Sequence, residues 1–70
     1  MTFRVEFLRE EDGRWIADLP ELPGVMAYGA TQAEAMTAVE VLALRVVADK
    51  IEHGEMASGP MQLSFMVAAF

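Results

Sequence analysis

The chain has no cysteine among its 70 residues. Disulfide staples, thiolate zinc sites, iron–sulfur clusters and cysteine nucleophiles are therefore excluded. It has a single histidine, His53, and only 5 Lys+Arg against 11 Asp+Glu, for a formal charge of −6. The sequence pI is near 4.4. A domain that grips phosphate backbones needs the opposite balance, so direct binding of nucleic acid is not expected and a basic protein partner is. No run approaches the ~20 apolar residues that span a bilayer, and residues 1–6 carry no apolar signal core or small-residue cleavage site. A cytoplasmic protein with no membrane attachment is the expectation.

What is abundant is apolar surface. Hydrophobic residues make up 54% of the chain, and the mean hydropathy is +0.29. Surface scaling for 7.7 kDa gives roughly 11,000 Å² unfolded and roughly 4,300 Å² folded. If about 4,000 Å² of the buried area is apolar, burial contributes on the order of 100 kcal/mol, and ordering 70 residues costs about the same. The sum is near zero. With staples and thiolate metals excluded, association is the stabiliser that remains, and a homo-oligomer is expected.

The first 19 residues alternate. Phe3, Val5, Phe7 and Arg9 point one way, and Arg4, Glu6, Leu8 and Glu10 the other. After Glu11-Asp12-Gly13, Trp15, Ala17 and Leu19 alternate with Arg14, Ile16 and Asp18. Such alternation about an Asp-Gly predicts a hairpin. A two-residue loop would set Phe7 opposite Asp18 and mix the faces. A loop of residues 11–13 pairs Arg9 with Trp15, Phe7 with Ala17, Val5 with Leu19 and Leu8 with Ile16. A one-residue slip inverts every side chain, so the odd loop is predicted, with Gly13 at positive φ.

Pro20-Glu21-Leu22-Pro23-Gly24 cannot continue a central strand, because proline lacks the amide donor. Pro23-Gly24 suits the central positions of a type II turn. Residues 25–28 then read as a short third strand ended by Gly29. Thr31-Gln32-Ala33-Glu34 is a capping box that opens a helix running to His53, where Gly54 supplies the stop. At 100° per residue, Ala35, Met36, Val39, Leu42, Ala43, Val46 and Val47 share one arc, the expected core face. Val41, Leu44, Ala48 and Ile51 form a second apolar stripe almost opposite, flanked by Glu40 and by Arg45 and Asp49. A single sheet covers only one side of its helix, so the second stripe calls for another protein surface. After Gly59-Pro60, residues 61 to about 68 alternate as a fourth strand, with Leu63, Phe65 and Val67 on one side. The expected fold is α+β, β-β-β-α-β, an antiparallel sheet with one long helix packed on one face. It is a single domain over residues 1–70 with no C-terminal DNA-binding segment.

Few constellations carry chemistry. Glu6 and Asp18 fall nearly opposite each other on the face away from the helix. They read either as a solvated sheet face, with Arg4 and Arg14 softening the repulsion, or as a carboxylate pair able to bridge a divalent metal. His53 sits where a protonated imidazole favours the helix C-terminus, and Ser58 and Ser64 have no patterned spacing to it, which argues against a triad. The five glycines stand singly at turns and make no phosphate loop. The methionines are either gap fillers, as Met36 looks to be, or an adaptable binding surface, for which Met56, Met61 and Met66 are candidates.

The stretch Asp12-Gly13-Arg14-Trp15-Ile16-Ala17-Asp18-Leu19-Pro20-Glu21-Leu22-Pro23-Gly24, followed by Tyr28-Gly29-Ala30-Thr31-Gln32-Ala33-Glu34-Ala35, resembles the HicB-type antitoxin family. The pattern is an Asp-Gly hairpin, an acidic Pro-x-Leu-Pro-Gly turn and Gly-x-Thr-x-x-Glu-Ala opening a long helix. Glu52-His53-Gly54 and Pro60 extend the likeness to about residues 3 to 67. The resemblance implies a truncated ribonuclease H-like fold that has lost its nuclease carboxylates. It also implies a partner, a small basic HicA-type toxin that cleaves RNA and is blocked when bound. Full-length members add a C-terminal DNA-binding segment; this sequence ends just after the fourth strand, so autorepression does not carry over.

The functional expectation is a non-enzymatic, cofactor-free binding protein that associates with itself and neutralises such a toxin. The candidate interface residues are Val41, Leu44, Ala48, Ile51, Phe65 and Val67. Glu10, Glu11, Asp12 and Glu21 are the candidates for steering a basic partner. The alternatives are a purely structural homo-oligomer and a residual metal-dependent nuclease using Glu6 and Asp18.

Overall fold

A computed structural model describes residues 1–56 and 59–67. The elements follow in the order β1 (Thr2–Arg9), β2 (Trp15–Asp18), β3 (Met26–Gly29), α1 (Gln32–Glu52) and β4 (Ser64–Val67). Ser58, weighed above against His53, and Ala68, the expected end of the last strand, lie outside the described residues, as do residues 69 and 70.

The hairpin has the register that side-chain parity predicts: Phe7 pairs with Ala17, Leu8 with Ile16 and Arg9 with Trp15. Residues 11–13 form the loop, closed by the Glu10 amide donating to the Arg14 carbonyl at 2.7 Å and the Gly13 amide to the Glu10 carbonyl at 2.9 Å. Gly13 has φ 91°, the left-handed position that follows the turn in a three-residue hairpin loop. The Val25 amide donates to the Leu22 carbonyl at 3.0 Å. With Gly24 at φ 85°, residues 22–25 make the expected Pro-Gly turn.

The sheet order is β3-β2-β1-β4. β1, β2 and β3 pair antiparallel, as expected. β4 differs: it pairs parallel to β1, with Phe3 beside Phe65 and Val5 beside Val67, so the sheet is mixed rather than antiparallel throughout. The cause is the connection. β3 runs in the direction of β1, and α1 carries the chain back to the end where β3 began. A strand entered after such a crossover runs parallel. Residues 61–63, expected to begin this strand, lie before it.

α1 starts at the expected Thr31 cap, although the Glu34 carboxylate reaches one residue beyond the N-cap amide that a capping box would use. The Glu34 amide donates to Thr31 Oγ1 at 3.1 Å, and Glu34 Oε2 accepts from the Ala30 amide at 2.9 Å. It stops at His53, with Gly54 at φ 75° and the Glu55 amide donating to the Lys50 carbonyl at 2.7 Å, a Schellman-type end. Ala35, Val39, Ala43 and Val47 on α1 are buried against Phe3, Val5, Ala17, Leu19, Leu22 and Val25, with Met36, Leu42 and Val46 packed at the margin. Among the described residues this core contains no polar or charged side chain. The helix lies on one sheet face only, and among the described residues no element covers the other.

Candidate protein-binding surfaces

Among the described residues the core is wholly apolar, so the polar and charged side chains are exposed or half-buried at the surface. Two surfaces carry more apolar area than a solvated face needs.

The first is the outward side of α1. Val41 and Leu44 are 44% and 49% exposed, and Thr37 and Ala48 are exposed between and beside them. Towards the N-terminus the same side falls into a shallow open depression lined by Ala33, Glu34, Thr37 and Ala38. Two expected members of the interface sit differently. Ile51 is half-buried and packs against the core, and so does Phe65, whose ring lies 5.9 Å from that of Phe3. Phe65 takes this position from the parallel placement of β4, which puts it beside Phe3 on the helix side. Val67, at the open edge strand, is 52% exposed. Of the methionines, Met36 and Met56 pack against the core, whereas Met61 and Met66 are exposed.

The second surface was not assembled from the sequence. On the bare face of the sheet, Leu8, Ile16 and Tyr28 stand side by side across β1, β2 and β3. Ile16 is buried although it lies outside the main core; its neighbours in the row shield it. Leu8 and Tyr28 remain 60% and 47% exposed. The sequence signal for Leu8 and Ile16 was side-chain parity. Tyr28 lacked one, because the register of the third strand depends on the geometry of the Pro20–Gly24 turn.

Next to this row Glu6 and Asp18 are direct register partners, both half-buried. The arginines expected to relieve them are engaged elsewhere. Arg4 Nε lies 3.1 Å from Glu21 Oε1, and Arg14 Nε lies 2.8 Å from Asp12 Oδ2. The Arg14 guanidinium also stands over the Tyr28 ring at 4.8 Å, and that of Arg9 over Trp15 at 5.4 Å. Among the described residues no third His, Asp or Glu joins Glu6 and Asp18 as a metal-ligating group.

These contacts divide the acidic residues proposed for steering. Asp12 also accepts from the Arg14 backbone amide, and that bond, with the guanidinium beside it, holds its carboxyl below the usual value. Glu21 is likewise lowered, first by its own backbone amide and then by Arg4. Both charges are already partnered. Glu10 and Glu11 form no ion pair with another described residue. His53 Nδ1 lies 2.8 Å from the Asp49 carbonyl oxygen, at the helix end where a donor is favoured.

No helix among the described residues is long and apolar enough to cross a membrane. Comparison of the chain with protein-family models, with curated proteins and with solved structures finds no match.

Proposed function

We propose that this chain is a non-catalytic, cytoplasmic protein-binding module of the HicB antitoxin type, which associates with itself and neutralises a small basic RNA-cleaving toxin. The observation that carries the reading is the one-sided packing of α1. Val41 and Leu44 stay about half exposed on a helix whose other side is buried, and that arrangement favours a docking module over an isolated globule. The net charge of −6 and Glu6, Asp18, Glu10 and Glu11, which form no ion pair among the described residues, favour a cationic partner. The motif that resembles the antitoxin family has a physical role at each step: the Asp-Gly hairpin loop, the Pro-Gly turn and the Thr31–Glu34 cap.

The test is to read the adjacent reading frames and co-express the chain with any small basic protein that one of them encodes; the absence of such a frame contradicts the toxin-neutralising role. The proposal expects a stable complex, relief of the neighbour's growth arrest, and an association rate that falls when Glu10 and Glu11 are both changed to Lys. A chain that elutes alone and leaves the arrest intact contradicts the toxin-neutralising role and leaves the structural homo-oligomer as the reading.

A further inference from the structure

The outward residues of α1 have a spacing that a general sticky patch does not require. Thr37, Val41, Leu44, Ala48 and Ile51 follow one another by 4, 3, 4 and 3 residues. This is the 3.5-residue repeat of a helix-pairing seam, with Val41 and Ala48 at a positions and Thr37, Leu44 and Ile51 at d positions. From Thr37 to Ile51 it runs about 21 Å along the helix. Its N-terminal part is exposed, and it closes at the half-buried Ile51. The sheet-facing row of Ala35, Val39, Ala43 and Val47 lies on the other side of the helix, so a second helix can reach the seam without meeting either sheet.

The flanks carry the direction. Glu40 occupies the g position before Val41, and Arg45 the e position after Leu44. Neither makes an ion pair with another described residue. In a parallel pair, each g residue faces the partner's e residue five positions on. Glu40 then meets the partner's Arg45, and Arg45 meets the partner's Glu40. In an antiparallel pair, g faces g, and Glu40 can meet only Ala33, Glu40 or Val47 of the other copy, none of them a cation. Arg45 finds an acid, Glu52, only in a register centred near residues 48–49, which leaves Thr37 and Val41 opposite residues beyond the helix. A β-branched residue at a with leucine at d, here Val41 and Leu44, also favours two parallel strands.

We infer that the occupant of this face is a second copy of the chain, its α1 parallel to the first about a two-fold axis, with Val41 on Val41 and Leu44 on Leu44 and two reciprocal Glu40–Arg45 ion pairs. The assembly is sheet, helix, helix, sheet, and both bare sheet faces stay outward and free for another partner. The inference rests on the self-association proposed above and gives it a geometry.

The absence of cysteine makes the geometry directly readable. Thr37→Cys and Ala48→Cys, made separately and oxidised mildly, place each thiol opposite its own copy in the parallel pair, within disulfide reach. Both variants should give cross-linked dimers; an antiparallel pair can link at one of these positions at most. Independently, Glu40→Arg and Arg45→Glu should each weaken dimerisation roughly tenfold, and mixing the two variants should restore it as a heterodimer. A dimer that cross-links at one position only or at neither, or a mixture that gains nothing, overturns the parallel geometry while leaving self-association standing. A chain that stays monomeric at high micromolar concentration overturns both.

Discussion

A Cβ placed on Gly29 would overlap the backbone nitrogen of Ala35 and come 2.8 Å from the carbonyl carbon of Glu34. The end of β3 and the first turn of α1 are in contact backbone to backbone, and this contact sets how the helix lies on the sheet. Gly29→Ala should therefore destabilise the domain by about 2–3 kcal/mol, because neither backbone can yield. Gly13→Ala is the control. Its Cβ meets nothing within 4 Å, so only the positive-φ penalty of about 1–2 kcal/mol applies. Urea denaturation of the two variants, with the larger loss at Gly29, checks the contact.

Thr31 Oγ1 accepts from the Glu34 amide, and the Glu34 carboxylate accepts from the Ala30 amide, so the two side chains between them satisfy the start of the helix. Thr31→Ala should cost about 1 kcal/mol. In a domain of this size that lowers Tm by roughly 4–8 °C, readable by thermal melting, whereas Gln32→Ala, exposed on the same helix, should move Tm far less.

Glu6 and Asp18 face each other across β1 and β2 with no arginine bound to either. Like charges directly opposite are destabilising, so Asp18→Asn should stabilise the fold by about 0.2–1 kcal/mol, more at low salt than at high. If the pair belongs to the surface that receives a basic partner, the same substitution weakens that binding. Stability and affinity then move in opposite directions, and denaturation together with titration of the partner measures both.

Acidification should erode the loop contacts in a defined direction. The carboxyls of Asp12 and Glu21 are lowered in the folded chain from ordinary values of 3.8 and 4.5. A lowered folded pKa contributes stability that is present above the unfolded value and lost as pH falls through the folded one. The contribution is therefore present at neutral pH, begins to fall near the ordinary values of 3.8 and 4.5, and is gone once the pH lies below the lowered folded values. Both groups are exposed, so the effect is small and screened by salt. Urea midpoints from pH 7 to pH 2.5 should fall less steeply for Asp12→Asn/Glu21→Gln than for the unaltered chain.

What was legible in the sequence was local or periodic. The hairpin register followed from which side chains share a face, because a slip would have put Asp18 opposite Phe7. The turn at Pro23-Gly24, the cap at Thr31 and the core stripe from Ala35 to Val47 each rest on contacts within a few residues. The direction of β4 was not legible, since alternation is the same read from either end and only the return path of α1 decides it. That one misplacement carries Phe65 from a free surface to the side of Phe3. The pairing of Arg4 with Glu21, 17 residues apart, and the joining of Tyr28 to Leu8 and Ile16 likewise depend on how the turn between β2 and β3 brings distant segments together. The exposed seam of α1 was legible as a stripe, whereas its depletion at Ile51 was not.

The central claim is that the outward side of α1 is completed by another protein surface. Sedimentation velocity of the unaltered chain and of Leu44→Glu, across a concentration series, tests it most directly. The account predicts a concentration-dependent dimer for the first and a folded monomer for the second. A single monomeric species for both, equally stable and indifferent to concentration, would contradict it.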